Sequence, residues 1–181
     1  MNGTADGFEP GPPQPVAQAR YAGRWTLRFT QVFPHPAQAV WAALTEPDEL
    51  GAWAPYSADR NLGTVGPATL TLAEGARGTT FDGTVTLAQR PVALAHAWGR
   101  HRLHWELRLV GSGTELTLLH SLGEGDDEAE LASLAAGWHL CLLVAERLLD
   151  GTPIGRIFGA TALDYGFDDL QQRYESRLNR G

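Results

Sequence analysis

The stretch LAAGWHLCLLVAERLLDG, residues 134–151, constrains this chain more than any other. It is the one long helix pattern, and it follows a run of strand-like segments. A single long helix laid on one sheet must bury its apolar face there, and that arrangement can leave room for a guest molecule. On a helical wheel Leu131, Leu134, Trp138, Cys141, Leu142, Ala145, Leu148 and Leu149 form one broad stripe. Gly151 stops the pattern and Pro153 prevents its resumption. Leu140, Leu143 and Val144 fall off the stripe, so either the returning segment 152–167 or a partner copy in a homodimer must cover them.

Upstream, Trp25, Leu27, Phe29, Gln31 and Phe33 alternate with Thr26, Arg28, Thr30 and Val32, which predicts a first strand. Pro34 and Pro36 end it, and Pro36 suits the first turn of a helix carrying Val40, Trp41 and Leu44. Pro47 closes that helix and opens another short one through Leu50 to Trp53. Strands follow near 57–63, 67–73, 79–89, 92–98, 102–110 and 114–122, separated by glycines. Connections this short favour an antiparallel meander over parallel crossovers. Alternation assigns Phe81, Val85, Leu87, Val92, Leu94, His96, Trp98, Leu103, Trp105, Leu107, Leu109, Leu116, Leu118, His120 and Leu122 to a dry face. Asp82, Thr84, Thr86, Arg102, His104, Glu106, Arg108, Glu115 and Thr117 fall on a wet one.

At 181 residues the chain reads as one domain with tails. Residues 1–20, rich in Gly and Pro with little to bury, are expected to form a disordered tail, with order beginning near Trp25. The domain occupies 21–151. An extension, 152–181, carries a short closing helix, FDDLQQRYESRL, whose Phe167, Leu170, Tyr174 and Leu178 share one face and pack on the same domain. In the acidic run GEGDDEAE, 123–130, Asp127 is expected to cap the long helix, with Glu130 reaching back in a capping box. Calcium-loop spacing is absent from that run.

The net charge of −7 argues against nucleic acid as a partner, because duplex phosphates are held by clustered basic residues. All 14 basic residues are arginine, which removes Schiff-base chemistry and any Walker-type phosphate lysine. The single cysteine, Cys141, lies on the helix stripe and reads as a packed thiol. The first twenty residues have neither the basic start nor the apolar core of a signal peptide, and no apolar run approaches membrane-spanning length. The expected setting is the cytoplasm, with no membrane partner.

The order strand, two short helices, antiparallel meander, long helix resembles the helix-grip fold of the START/SRPBCC superfamily. VWAALTEPDELGAWAP at 40–55 is similar to the helix pair of bacterial proteins related to the activator of the heat-shock-protein-90 ATPase. GTVTLAQRPVALAHAW at 83–98 resembles that group's central strand pair. GTELTLLHSL at 113–122 and GWHLCLLVAERLLDG at 137–151 look like its last strand and closing helix. The resemblance covers residues 24–151 and implies an α+β fold. Its curved antiparallel sheet of six to seven strands wraps around one long C-terminal helix, with two short helices after the first strand. It also implies a deep apolar cavity between sheet and helix. It implies no single chemistry: members bind lipids, sterols or polyketides, some catalyse cyclisation or hydration, and others help chaperones.

Searches of the residues find no GxSxG elbow, HExxH, P-loop or Rossmann fingerprint, and no cofactor is expected. His96 and His120, on the dry face, could hydrogen-bond a ligand, act as acid or base, or serve as satisfied core residues. His139 and Glu146 share one edge of the long helix, but no local spacing supports a three-histidine metal site with His96 and His120, and none is expected. Trp53, Tyr56, Phe81, Trp98, Trp105 and Trp138 are many large rings for a small domain. Such rings line pockets or fill cores, and Tyr56 is placed at a cavity mouth. The candidate cavity set is therefore Trp53, Tyr56, Phe81, His96, Trp98, Trp105, His120, Trp138, Cys141 and Leu142. The GRHRLH hairpin, with Arg100, His101, Arg102 and His104, reads as a solvated turn, or else as a contact for an anionic ligand or partner.

Three functions compete. The first is a binding module holding a small hydrophobic or aromatic molecule. The second is a polyketide cyclase, aromatase or dehydratase-like enzyme using His96, His120 or Tyr56 to move protons. The third, resting on the family's name alone, is a chaperone-associated ATPase activator-like protein. The poverty of catalytic residues favours the first.

Overall fold

The computed structural model describes residues 8–72 and 78–180. Two strands at the start, β1 (Val16–Tyr21) and β2 (Arg24–Phe33), form a hairpin. Two short helices follow, α1 (Ala37–Thr45) and α2 (Pro47–Trp53). Pro47 sits in the first turn of α2, where its missing N–H costs nothing. Seven more strands come next: β3 (Tyr56–Ala58), β4 (Thr69–Leu72), β5 (Thr80–Asp82), β6 (Val85–Gln89), β7 (Ala93–Trp98), β8 (His101–Val110) and β9 (Gly113–Ser121). The chain then enters α3 (Glu130–Leu149), a 3-10 helix at Gly159–Tyr165, and α4 (Phe167–Leu178).

A six-stranded antiparallel sheet in the order β1-β2-β9-β8-β7-β6 lies against α3, which is the helix-grip arrangement. Its register fixes the inner face. One row runs Leu27, His120, Leu103, His96, Val85 across five strands, and the next runs Phe29, Leu118, Trp105, Leu94. Every member of both rows is buried. The period of two along each strand therefore delivers two imidazoles and an indole to the same interior.

Several expectations need correction. The 79–89 strand breaks at Gly83, and β5 leaves the main sheet to pair with β4, giving a separate three-stranded sheet β3-β4-β5. A Cβ at Gly83 would lie 2.6 Å from Leu70 Cγ, so the close approach of the two segments needs glycine there. Val92 and Leu109, assigned to the dry face, are exposed. The capping box does not form: α3 begins at Glu130 without a side-chain cap, and Asp127 Oδ1 instead accepts from Ala129 N–H at 3.0 Å. α3 is buried on far more than one stripe, including Ala132, Ala136, His139, Leu140 and Val144. By length and composition alone this helix would also serve as a membrane span, yet 61% of its apolar window is buried inside the protein. Leu140 and Val144 are covered within the chain, where α4 packs along α3.

The tail is the largest difference. Residues 1–7 lie outside the described residues, but 8–20 are not a free tail: β1 pairs along the edge of β2 from Val16↔Phe29 to Tyr21↔Arg24. Ahead of it, the segment from Phe8 to Gln14 is tied to the helices. His139 Nε2–H donates to Pro10 O at 2.6 Å, which leaves His139 Nδ1 to accept the Tyr174 hydroxyl proton at 2.7 Å. That hydroxyl oxygen accepts from Gln14 N–H at 2.9 Å. Tyr174→Phe should remove both hydroxyl bonds and cost about 1–3 kcal/mol. Amide exchange at Gln14 should then quicken while that of α3 holds; an unchanged rate at Gln14 would refute the clasp.

Candidate functional site

Aromatic rings and imidazoles occupy the space between sheet and α3. Trp105, from β8, is fully buried and meets Trp53 edge-on at 6.3 Å and Trp138 at 5.3 Å. Each indole N–H is satisfied within the fold: Trp53 donates to Ala43 O (2.8 Å), Trp105 to His96 Nε2 (3.2 Å) and Trp138 to His120 Nδ1 (2.9 Å). Tyr56 is buried beside His96, its hydroxyl 3.4 Å from Nε2. His96 Nδ1 donates to Ala97 O at 2.9 Å, so His96 is neutral with its other nitrogen accepting. Burial pushes His96 down to about 4, holds His120 well below the ordinary histidine range and raises the Tyr56 hydroxyl. The deep cavity expected between sheet and helix is filled by these rings, because they interlock edge to face and bond one another.

A hollow lies at the mouth, where the end of β7, the α2–β3 junction and the first half of α3 meet the returning chain. It measures about 420 Å³ and is lined by Pro55, Trp98, Ser133, Leu134, Gly137, Trp138 and Cys141, facing Ile157, Phe158, Leu163 and Phe167. Among the described residues no charged side chain lines it. Gly137 is the telling member. Glycine inside a helix costs about 0.5–1 kcal/mol relative to alanine, yet a Cβ placed there would meet nothing within 4 Å. No tight contact demands the glycine; what its missing side chain preserves is open pocket. Cys141 packs its thiol toward Ile157 O (3.8 Å), and burial raises its pKa to about 12, which keeps the thiol protonated at neutral pH.

Of the candidate cavity set, Trp98, Trp138 and Cys141 border this pocket. Trp53, Tyr56, His96, Trp105, His120 and Leu142 are buried in the packed interior beneath it. Phe81 is half-buried on β5 and rests against Gly99, away from the pocket. His139 bonds Pro10 and Tyr174, while His96 and His120 face β8 and the sheet side of α3. Among the described residues no three His, Cys, Asp or Glu side chains converge as a metal site requires. A larger hollow of about 1130 Å³ spans the outer face of the sheet, lined by Arg24, Arg28, Arg102, His104 and Glu106. That face is the wet one read from alternation.

Tyr56, expected at a cavity mouth, is buried in the interior, and His101 too differs from the sequence reading. His101 is not part of a solvated turn: its Nδ1 lies 2.7 Å from His120 Nε2, and its Nε2 lies 3.2 Å from Asp126 Oδ2. The signal was present, since 101 shares the parity of Leu103 and Trp105 along β8. The hairpin's basic neighbours masked it.

The family model for "Activator of Hsp90 ATPase homolog 1-like protein" matches residues 34–148. No curated protein matches the sequence. Among solved structures, a conserved protein of unknown function from Enterococcus faecalis superposes with a TM-score of 0.67 at 16% identity, over 91% of this chain and 91% of that one. CalU16 from Micromonospora echinospora gives 0.62 at 16% identity, over 90% of this chain and 95% of that one. DynU16, a protein of the dynemicin biosynthetic locus, gives 0.60 at 24% identity, over 71% of this chain and 48% of that one. At such identities the likeness shows a shared fold.

Proposed function

The chain belongs to the activator of Hsp90 ATPase homolog 1-like family, and from that premise we propose that it is a binding module for a small, uncharged hydrophobic or aromatic molecule held beside α3. One observation carries this reading. A pocket of about 420 Å³, walled by Trp98, Trp138, Leu134 and Phe167, is kept open by a mid-helix glycine that no packing contact requires. The absence of charge in the lining selects against ionic ligands, whose desolvation nothing there would offset. Enzymatic readings draw little support, because His96, His120 and Tyr56 are sealed from the pocket and engaged with one another's neighbours. The family's name speaks of chaperone ATPase activation, which reaches this chain only as fold-level analogy. A lone buried thiol with no partner cysteine agrees with a reducing cytoplasm.

Gly137→Phe tests the proposal. The new ring projects into open pocket, so fluorescence titration with Nile red, a neutral hydrophobic dye, should show binding to the parent and none to the variant. The melting temperature should hold or rise, since a helix-interior glycine is removed. Dye binding that survives Gly137→Phe would place the ligand elsewhere and end this reading.

A further inference from the structure

Resting on the pocket reading above, we propose that Asp126, His101 and His120 are positioning residues for the pocket: their hydrogen-bonded chain fixes the Trp138 ring, and acid breaks it and weakens binding. The direction of every bond follows from one fact. An indole N–H can only donate, so His120 Nδ1 accepts from Trp138 at 2.9 Å. His120 is neutral and therefore carries its proton on Nε2, donating to His101 Nδ1 at 2.7 Å. His101 then holds its own proton on Nε2, facing the Asp126 carboxylate at 3.2 Å. Asp126 is fixed in turn by Gly123 N–H at 3.0 Å and by its ion pair with Arg100. The chain thus runs from a buried carboxylate in the β9–α3 connection to a ring that borders the pocket.

It has no tolerance for an extra proton. If His101 takes one on Nδ1, that N–H confronts the His120 N–H at a separation made for one hydrogen. His120 can yield only by moving its proton to Nδ1, and Trp138 then loses its acceptor; otherwise the two imidazoles part. Either motion reaches the second indole, because Trp98 packs on His101 (6.3 Å), His120 (5.7 Å) and Trp138 (5.9 Å). The groups facing His101 are the Arg100 and Arg24 guanidiniums, the Asp126 carboxylate and the His120 ring; His120 also faces His96. Burial and the two guanidiniums hold His101 below the usual histidine range. The chain is therefore intact at neutral pH and fails in acid.

The test reads Nile red affinity at pH 7.5 and 5.5, with far-UV circular dichroism to follow the fold. Alongside it, hydrogen exchange at the Trp138 indole is followed by NMR in the unliganded protein. Parent affinity should fall, by less than about tenfold because His101 titrates below the free-histidine value of about 6.5, and the Trp138 indole proton should lose protection. In His101→Gln the amide oxygen still accepts from His120 but cannot titrate, so both readouts should become flat with pH. In Asp126→Asn the loss of an adjacent anion should move the acid midpoint lower. A parent indole protected equally at both pH values, or a His101→Gln variant with the parent's profile, overturns the proposal. If Nile red binds at neither pH, the pocket reading fails and the indole readout alone decides the chain. If His101→Gln does not fold, the direction of the Asp126→Asn shift decides.

Discussion

Taking the protein from pH 7.5 to 5 should remove about 2 kcal/mol from its unfolding free energy through His96 alone, with a further loss in the same direction through His120. Both rings are buried and neutral, with folded pKa values depressed by desolvation, His96 to about 4 and His120 well below its ordinary value. The sign follows from proton counting. Above the unfolded value of about 6.5 neither state binds the proton, so these groups leave stability unchanged. Below it the unfolded chain takes protons that the folded chain refuses, and stability falls by about 1.4 kcal/mol per pH unit for each ring. The loss levels off only once the folded pKa is passed. Half-buried His101 and fully buried His139, also depressed, act in the same direction. Glu146 opposes them: burial and Asp150 raise its carboxyl, so the folded state gains from acid there. Urea midpoints at half-unit steps between pH 7.5 and 5 would show the slope. A flat profile would mean that water reaches both imidazoles in the folded protein, contrary to their packing.

The sheet and the long helix could be read from periodicity because each has a strong one-dimensional signature. Leu103, Trp105 and Leu107 alternate with Arg102, His104 and Glu106, and α3 carries apolar residues at helical spacing. Where the reading failed, the deciding interaction was long-range. β1 is poor in apolar residues and its hairpin turns on Ala22–Gly23, with φ of 48° at Ala22 and 78° at Gly23. Alanine is not the residue that geometry announces. What holds β1 is the backbone ladder with β2, which composition does not register. The clasp of Pro10 and Gln14 depends on His139 and Tyr174, more than a hundred residues away. The filled interior has the same origin. A ring-rich sequence is compatible with an open cavity or a solid core, and the choice depends on whether indole donors meet imidazole acceptors across strand and helix. Gly137 was the one local clue to the pocket, and its meaning needed the neighbours that are missing around it.

Trp105→Ala should cost about 3–5 kcal/mol, the upper range for a truncated core side chain. Trp105 is 1% exposed, central in its row of the sheet, and edge-on to both Trp53 and Trp138. Its loss deletes one of the two largest fully buried side chains and removes the donor to His96 Nε2, leaving that nitrogen only the Tyr56 hydroxyl at 3.4 Å. Trp98 makes the opposite comparison: the same residue type, half-buried, bordering the pocket. Trp98→Ala should cost less stability, about 1–2 kcal/mol from partial burial, while abolishing Nile red binding. The pair separates wall from core by measuring both quantities on both variants. Equal stability losses would mean that Trp98 belongs to the packed interior. Dye binding undiminished in Trp98→Ala would remove the indole from the pocket wall and, with it, the reason for a guest at that place.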